Sequence, residues 1–288
     1  MSKRDRMDTS KWVSITRLSP QPFVVQIGAN DHAPGRTADR GQEKNQADTG
    51  HREDPVPYAI RRGFRALLIE PVPQMAARLR ERYPPSGAGR NVTIAEAAVC
   101  GDCAERSRTF WSVDMSNSTG NWGTNTSDTR CAALSGVRWV QEIGSFSKSH
   151  VLGAGRQIGH MGARCKQCAK AFGRPMPSYC LTHVVARNLQ SADVPCLCLT
   201  NALRGETRVD LLMIDTEGFD FRVLELYPFA TSPAVRVVYE TMHLPTSQII
   251  AAAEMMRSLG YANIGGGLGR VPTVTWQHMS MLARVDLS

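Results

Sequence analysis

The chain has 288 residues, 42% of them hydrophobic, and its 34 Lys and Arg against 26 Asp and Glu give a formal charge of +8. That length and apolar content exclude a mainly disordered chain and suffice for a full core, and no apolar run reaches the ~20 residues that span a bilayer. The positive excess is spread along the chain, densest at Lys3 to Arg6, and reads as arginine-rich surface rather than a nucleic-acid-binding stripe.

In chain order, residues 1–20 form an N-terminal tail, and residues 21–288 form one α/β domain with insertions near 33–53 and 114–180. The tail has no apolar core of a secretory signal, and Asp5 and Asp8 speak against a transit peptide, so a cytoplasmic protein is expected. The sequons at Asn91, Asn117 and Asn125 then carry no weight, because glycosylation requires secretion. "FVVQIG" predicts a buried first strand. The polar stretch from Ala33 to Glu53 has no apolar period and reads as an insertion. "PVPYAIRRG" predicts a short helix ending at Gly63. "RALLIE" predicts a second buried strand, and "PVPQMAARLRERY" an amphipathic helix. "NVTIAEAAV" predicts a third strand closed by the turn "CGD", and "RTFWSV" an extra strand.

From Asp114 to about Phe172 the periodic signal fades, and a connection of that length is read as a lid or substrate insert or as a disordered segment. His150, His160 and His183 lie in or near it and are read as surface residues. Order returns with a short strand and helix in "VPCLCLTNAL", the buried strand "RVDLLMID" and the helix "DFRVLELY". There follow the strand "AVRVVYE" and the helix "TSQIIAAAEMMRSLG", with Thr246 as N-cap and Gly260 just past its end. "YANI" and the tail "TVTWQHMSMLARVD" supply the last strands.

Of eight cysteines, Cys100 and Cys103, and Cys165 and Cys168, form C-x-x-C pairs. Thiolates at that spacing can share a zinc ion, but no matching histidine pattern follows. Reduced, mostly buried thiols are the expectation, and no metal site is assigned.

Four predicted strands end in polar groups: Gly28 with Asn30 and Asp31, Glu70, Asp215 with Glu217, and Glu240 with His243 nearby. In an open parallel sheet these ends share one edge, where ligands bind at the reversal of strand order. A glycine after the first strand lets backbone approach a ligand, and an acid ending the second can accept from ribose hydroxyls. The G-x-G-x-x-G of a dinucleotide site is absent. Asn30 and Asp31 put acceptors where a pyrophosphate needs donors. An acidic rim suits S-adenosyl-L-methionine, which carries an ammonium and a sulfonium and no phosphate. Asp215, Glu217 and His243 are the candidates for catalysis: Asp215 near the transferring methyl group, and Glu217, His243 or Asp215, in that order, as general base. Glu240 and His243 with Asp215 could instead hold a divalent ion, and a pocket-rim role is preferred for them.

The stretches "VVQIGAND", "DPVPYAIRRGFRALLIEPVPQMAARLRERY", "AAVCGD", "VDLLMIDTEGFDFRVLELYPF" and "VVYETMHL" resemble the FkbM family of S-adenosylmethionine-dependent methyltransferases. The resemblance runs from about Phe23 to Tyr261 outside the insertions, and "IDTEGFD" is its most specific piece. It implies a Rossmann-like class I methyltransferase fold, a seven-stranded mostly parallel sheet with a reversed last strand and helices on both faces. It also implies O-methylation of a hydroxyl on a sugar, glycan or small molecule. By the same resemblance Gly28, Asn30, Asp31 and Glu70 hold the cofactor, and Asp102 lies near its adenine. His32 stands where the family loop usually continues with glycine. The rival readings are an RNA or protein methyltransferase, suggested by the charge, and an inactive module that keeps the cofactor fold.

Overall fold

A computed structural model describes residues 21–29, 55–113, 143–157, 185–186, 188–265 and 273–282. The N-terminal tail, the first insertion and most of the second lie outside these residues, as do Asn30, Asp31 and His32. The elements in chain order are β1 (Phe23–Ile27), α1 (Pro55–Arg61), β2 (Arg65–Ile69), α2 (Pro73–Arg82), β3 (Val92–Ala95) and β4 (Ala98–Val99). Next come β5 (Ser107–Val113), β6 (Gly144–Ser145), α3 (Lys148–Gln157), β7 (Leu189–Leu197), α4 (Leu199–Ala202) and β8 (Val209–Ile214). The chain continues through α5 (Asp220–Leu226), β9 (Ala234–Glu240), α6 (Thr246–Ser258), β10 (Tyr261–Gly265), β11 (Thr273–His278) and α7 (Met279–Leu282).

The mixed α/β architecture agrees with the expectation. Seven strands form the main sheet in the order β10-β11-β9-β8-β1-β2-β3. Its pairs from β9 to β3 are parallel, whereas β11 runs antiparallel to both of its neighbours. The strand order reverses at β1: from there the chain moves outward to β2 and β3, then returns to place β8 on the other side. That reversal opens a crevice at the carboxyl ends of β1, β2 and β8.

The central strands are apolar without alternation because both faces of the sheet are covered. Every residue of β1 is buried. Val25 and Ile27 join Leu212, Val223, Leu224, Ala252 and Met256 on one face, while Val24 joins Ile60, Leu68 and Leu79 on the other. Each such side chain contributes ~1.5–3 kcal/mol on leaving water. Helix α1 ends as expected, with Gly63 at φ 87°. Helix α6 differs at its start: Pro245 is the N-cap and Thr246 the first helical residue.

The expected third strand divides. Residues Val92–Ala95 stay in the main sheet as β3, whereas Ala98–Val99 leave it to begin a second sheet of order β4-β7-β5-β6. This annex contains the predicted extra strand and described parts of the second insertion. β7 is nine residues long and spans the whole of β5 in antiparallel register.

The expectation of reduced thiols is corrected here for four cysteines. Cys100 is bonded to Cys196, and Cys103 to Cys198. The cause is the parallel pairing of β4 with β7, Ala98 opposite Cys196. It lays the "CGDC" turn beside the end of β7, joining thiols 96 and 95 positions apart. Cys131, Cys165, Cys168 and Cys180 fall outside the described residues.

Candidate functional site

At the reversal point the three strand ends are tied by backbone bonds. Gly28 and Ala29 both donate to the Ile69 carbonyl, Asp215 donates to Ile27, and Glu70 to Ala95. Gly28 has φ 76°, and a Cβ there would run into the Asp215 carbonyl oxygen. Glycine is therefore required twice over, by conformation and by space. The cleft above these ends is walled by Gly28, Glu70, Asp215, Glu217 and apolar groups including Val72, Val99 and Val223.

Glu70 is 5% exposed, and its Oε1 accepts the Val72 N–H at 2.8 Å. The Glu-Pro-Val turn thus fixes the carboxylate at the end of β2 just as the chain enters α2. Asp215 and Glu217 both line the cleft, as the strand-end reading expects. The outcome for Asp102 differs. It lies in the exposed turn between the linked cysteines, is not on the cleft wall, and its Oδ1 accepts the Ala104 N–H at 2.8 Å. Asn30 and Asp31 lie outside the described residues.

The segment Asp215–Asp220 sets the other half of the site. Glu217 occupies the left-handed region at φ 53°, the one non-glycine residue to do so among those described. Such a conformation costs ~1–3 kcal/mol and persists only where surroundings enforce it. Here Asp220 enforces it. That residue is 1% exposed; its carboxylate accepts from Thr216 N at 3.4 Å, Thr216 Oγ1 at 3.1 Å, Gly218 N at 3.2 Å and Glu240 N at 3.4 Å. Burial pushes its carboxyl up to about 6, against the opposing pull of those hydrogen bonds. Asp220 is a positioning residue that a reading of strand ends passes over. It stands inside the next helix, and its spacing from Thr216 was the available signal.

The strained turn aims Glu217 at His243. Their Oε2 and Nε2 atoms are 3.1 Å apart, and Glu240 Oε2 is 3.8 Å from the same nitrogen. The bond to Glu217 raises the His243 imidazole above its ordinary range, with burial working the other way. Glu240 is held well above the usual carboxylate range, first by burial and then by the charges of Asp215, Glu217 and Asp220. Of the three predicted catalytic residues, Asp215 and Glu217 thus line the cleft, and His243 adjoins it through Glu217.

Two residues that sequence reading left out complete this site, and both come from the annex. The Phe146 ring lines the cleft and packs edge-on against Phe110 at 5.4 Å and Phe219 at 5.3 Å between centroids. A side chain at Gly144 would collide with the Phe110 ring, so glycine there lets β6 close onto β5. His150, in the first turn of α3, packs edge-on against His243 with ring centroids 5.7 Å apart. A Cβ on Gly218 would come within 2.9 Å of His150 Cε1 and 3.3 Å of His243 Cβ, so the bare backbone there admits the His150 ring beside His243. Burial, and then the His243 charge, lower the basicity of His150. His150 corrects its reading as a surface histidine.

The chain was then compared with known proteins. The family model described as "Methyltransferase FkbM domain" matches residues 26–262. Comparison with curated proteins gave no match, nor did comparison with solved structures.

Proposed function

This chain belongs to the FkbM methyltransferase family, and from that premise we propose that it transfers a methyl group from S-adenosyl-L-methionine to a hydroxyl of a sugar, glycan or small molecule. The fold in this reading is the Rossmann-like class I methyltransferase fold, with β11 as the reversed strand. The observation that carries it is the convergence of Glu70, Asp215 and Glu217 on one cleft at the point where strand order reverses. That donor set fits a cationic nucleoside: acceptors face a ligand with ribose hydroxyls, an ammonium and a sulfonium. When bound, the cofactor supplies an electrophilic methyl group and leaves as a neutral thioether.

The chain's own residues do the rest. Glu70, oriented by Val72, accepts from the ribose hydroxyls. Gly28 brings backbone close beside it, and Asn30 and Asp31, which follow it in the sequence, are the further cofactor candidates. Asp215 faces the positive end of the cofactor. Asp102 has no direct role in this reading; its carboxylate holds the Ala104 turn beside the adenine wall of Ala97–Val99. Glu217 takes the proton from the acceptor hydroxyl, which is a poor nucleophile until deprotonated. His243 fixes Glu217 in place, and Phe146 excludes water over the aligned reactants. Among the described residues no helix is long and apolar enough to cross a membrane. The two cystines support an oxidising compartment over the reducing cytoplasm expected from the N-terminus.

The experiment is calorimetry with S-adenosylmethionine, followed by a screen for transfer of its isotope-labelled methyl group to glycans, small alcohols and RNA. We expect binding by the wild type and label on a hydroxyl acceptor. Glu70→Ala should weaken cofactor binding by ~100-fold, the loss of two hydrogen bonds to a charged group. Unchanged affinity in Glu70→Ala and in Glu70→Gln would remove the ribose assignment. Label on RNA would redirect the acceptor class.

A further inference from the structure

We propose that His150, Glu217 and His243 form a binding site for a divalent first-row transition-metal ion at the acceptor end of the cleft. Each of the three offers a ligating atom, and these atoms all lie within 4.8 Å of one another. The pair His243 Nε2 and Glu217 Oε2 is 3.1 Å apart. That is the span two donors adopt around an ion with bonds near ~2.1 Å. Two imidazoles and one carboxylate are the donor set of open sites for such ions, which keep positions free for outside oxygen ligands.

Three further observations support the site. His150 Nε2 is buried and has no hydrogen-bond partner among the described residues. An unpaired polar atom of that kind is costly to leave without a ligand. Gly218 leaves room for the His150 ring against the His243 backbone, since a Cβ there would meet His150 Cε1 at 2.9 Å. Glu217 is held at φ 53° by the Asp220 network, so one ligand is fixed in place before any ion arrives.

The ion's role rests on the methyltransferase reading, although its binding does not. With open positions beside the cleft, it would bind the acceptor oxygen and lower the cost of deprotonating it, the proton passing to the Glu217 carboxylate oxygen that does not ligate the ion. The acceptor class narrows accordingly, to hydroxyls that carry a second ligating oxygen nearby, such as vicinal diols. His243 ceases to be a hydrogen-bond partner of Glu217 alone, because the ion replaces the proton between them and that proton passes to solvent.

The test uses the full chain, stripped with a chelator that is then removed and titrated with cobalt(II). Binding is followed by calorimetry and visible absorption, with manganese(II) followed by electron paramagnetic resonance. We expect one equivalent of cobalt with visible ligand-field bands and no near-ultraviolet sulfur-to-cobalt intensity. His150→Ala and Glu217→Gln should each weaken it by ~100-fold, at least the loss seen when only an outer partner of a ligand is removed. Glu217→Gln preserves shape, and circular dichroism verifies that each variant is folded. Absence of binding, sulfur-type intensity, or equal affinity in wild type and both variants would overturn the site. S-adenosylmethionine calorimetry on the metal-free protein separates the two readings. Cofactor binding without cobalt binding ends this inference alone, and cobalt binding without cofactor binding ends the methyltransferase reading alone.

Discussion

The main sheet and the annex both line the cleft and are built on different principles. The sheet is held by local βαβ units and two continuous apolar layers, and it offers its strand ends: Gly28, Glu70, Asp215. The annex is held by one long antiparallel pairing, an aromatic cluster and two cystines, and it offers side chains from a loop and a helix start: Phe146 and His150. The contrast teaches a division of labour. A buried parallel sheet fixes a ligand common to many reactions, while an appended layer, free of the sheet's packing constraints, decides what meets it.

The largest expected effect tests the sheet side. Gly28→Ala puts a methyl group into the Asp215 carbonyl and demands a left-handed alanine. It should separate β1 from β8, lower stability by several kcal/mol and abolish cofactor binding. A thermal melt and calorimetry check both, and a folded variant that binds the cofactor normally would break the comparison. Next in size is the neck of the annex. Replacing all four linked cysteines with serine should lower stability by ~4–5 kcal/mol, from the closure of a loop of 96 positions. Breaking one cystine alone should cost far less, because the other closes nearly the same loop. Denaturant unfolding of the three variants reads the difference.

At the junction of the two regions, Glu217→Gln should reduce kcat by ~10²–10⁴-fold. Its affinity for S-adenosylmethionine should stay near that of the wild type, which assigns it to the acceptor side. A matching loss of cofactor affinity would move it to the sheet side. The smallest effect concerns Asp220, whose carboxyl is raised by burial from 3.8 to about 6. Folding then strengthens its hold on a proton. Its contribution to stability is complete below pH 3.8 and is lost as the pH rises through about 6. The difference in stability between wild type and Asp220→Asn should therefore shift by about 3 kcal/mol across that window, the wild type faring worse at higher pH. Thermal melts of the two proteins at pH 4 and pH 7 measure it.

The same contrast governs how much the sequence discloses. β1, β2, β8 and β9 are runs of apolar residues that end in a glycine or an acid, so both the strands and Glu70, Asp215 and Glu217 are legible. The pairing of β4 with β7 is not, because it joins Ala98 to Cys196 across an aperiodic segment. Without that pairing neither cystine can be inferred. His150 and Phe146 were hidden for the same reason: nothing in "GSFSKSH" has a period that points inward. The place of Asp102 is set by its neighbours in the linked turn, where its carboxylate accepts from Ala104, rather than by the strand before it.

Cys100 and Cys103 bind Cys196 and Cys198 across a covalent ring that contains β5, β6, α3 and β7. A single peptide cut anywhere between positions 104 and 195 would therefore open the ring without dividing the molecule. Two pieces would appear on a gel only after reduction. Evolution can lengthen or rewrite that circuit, and so retune what the protein acts on, while its ends stay anchored beside the cleft.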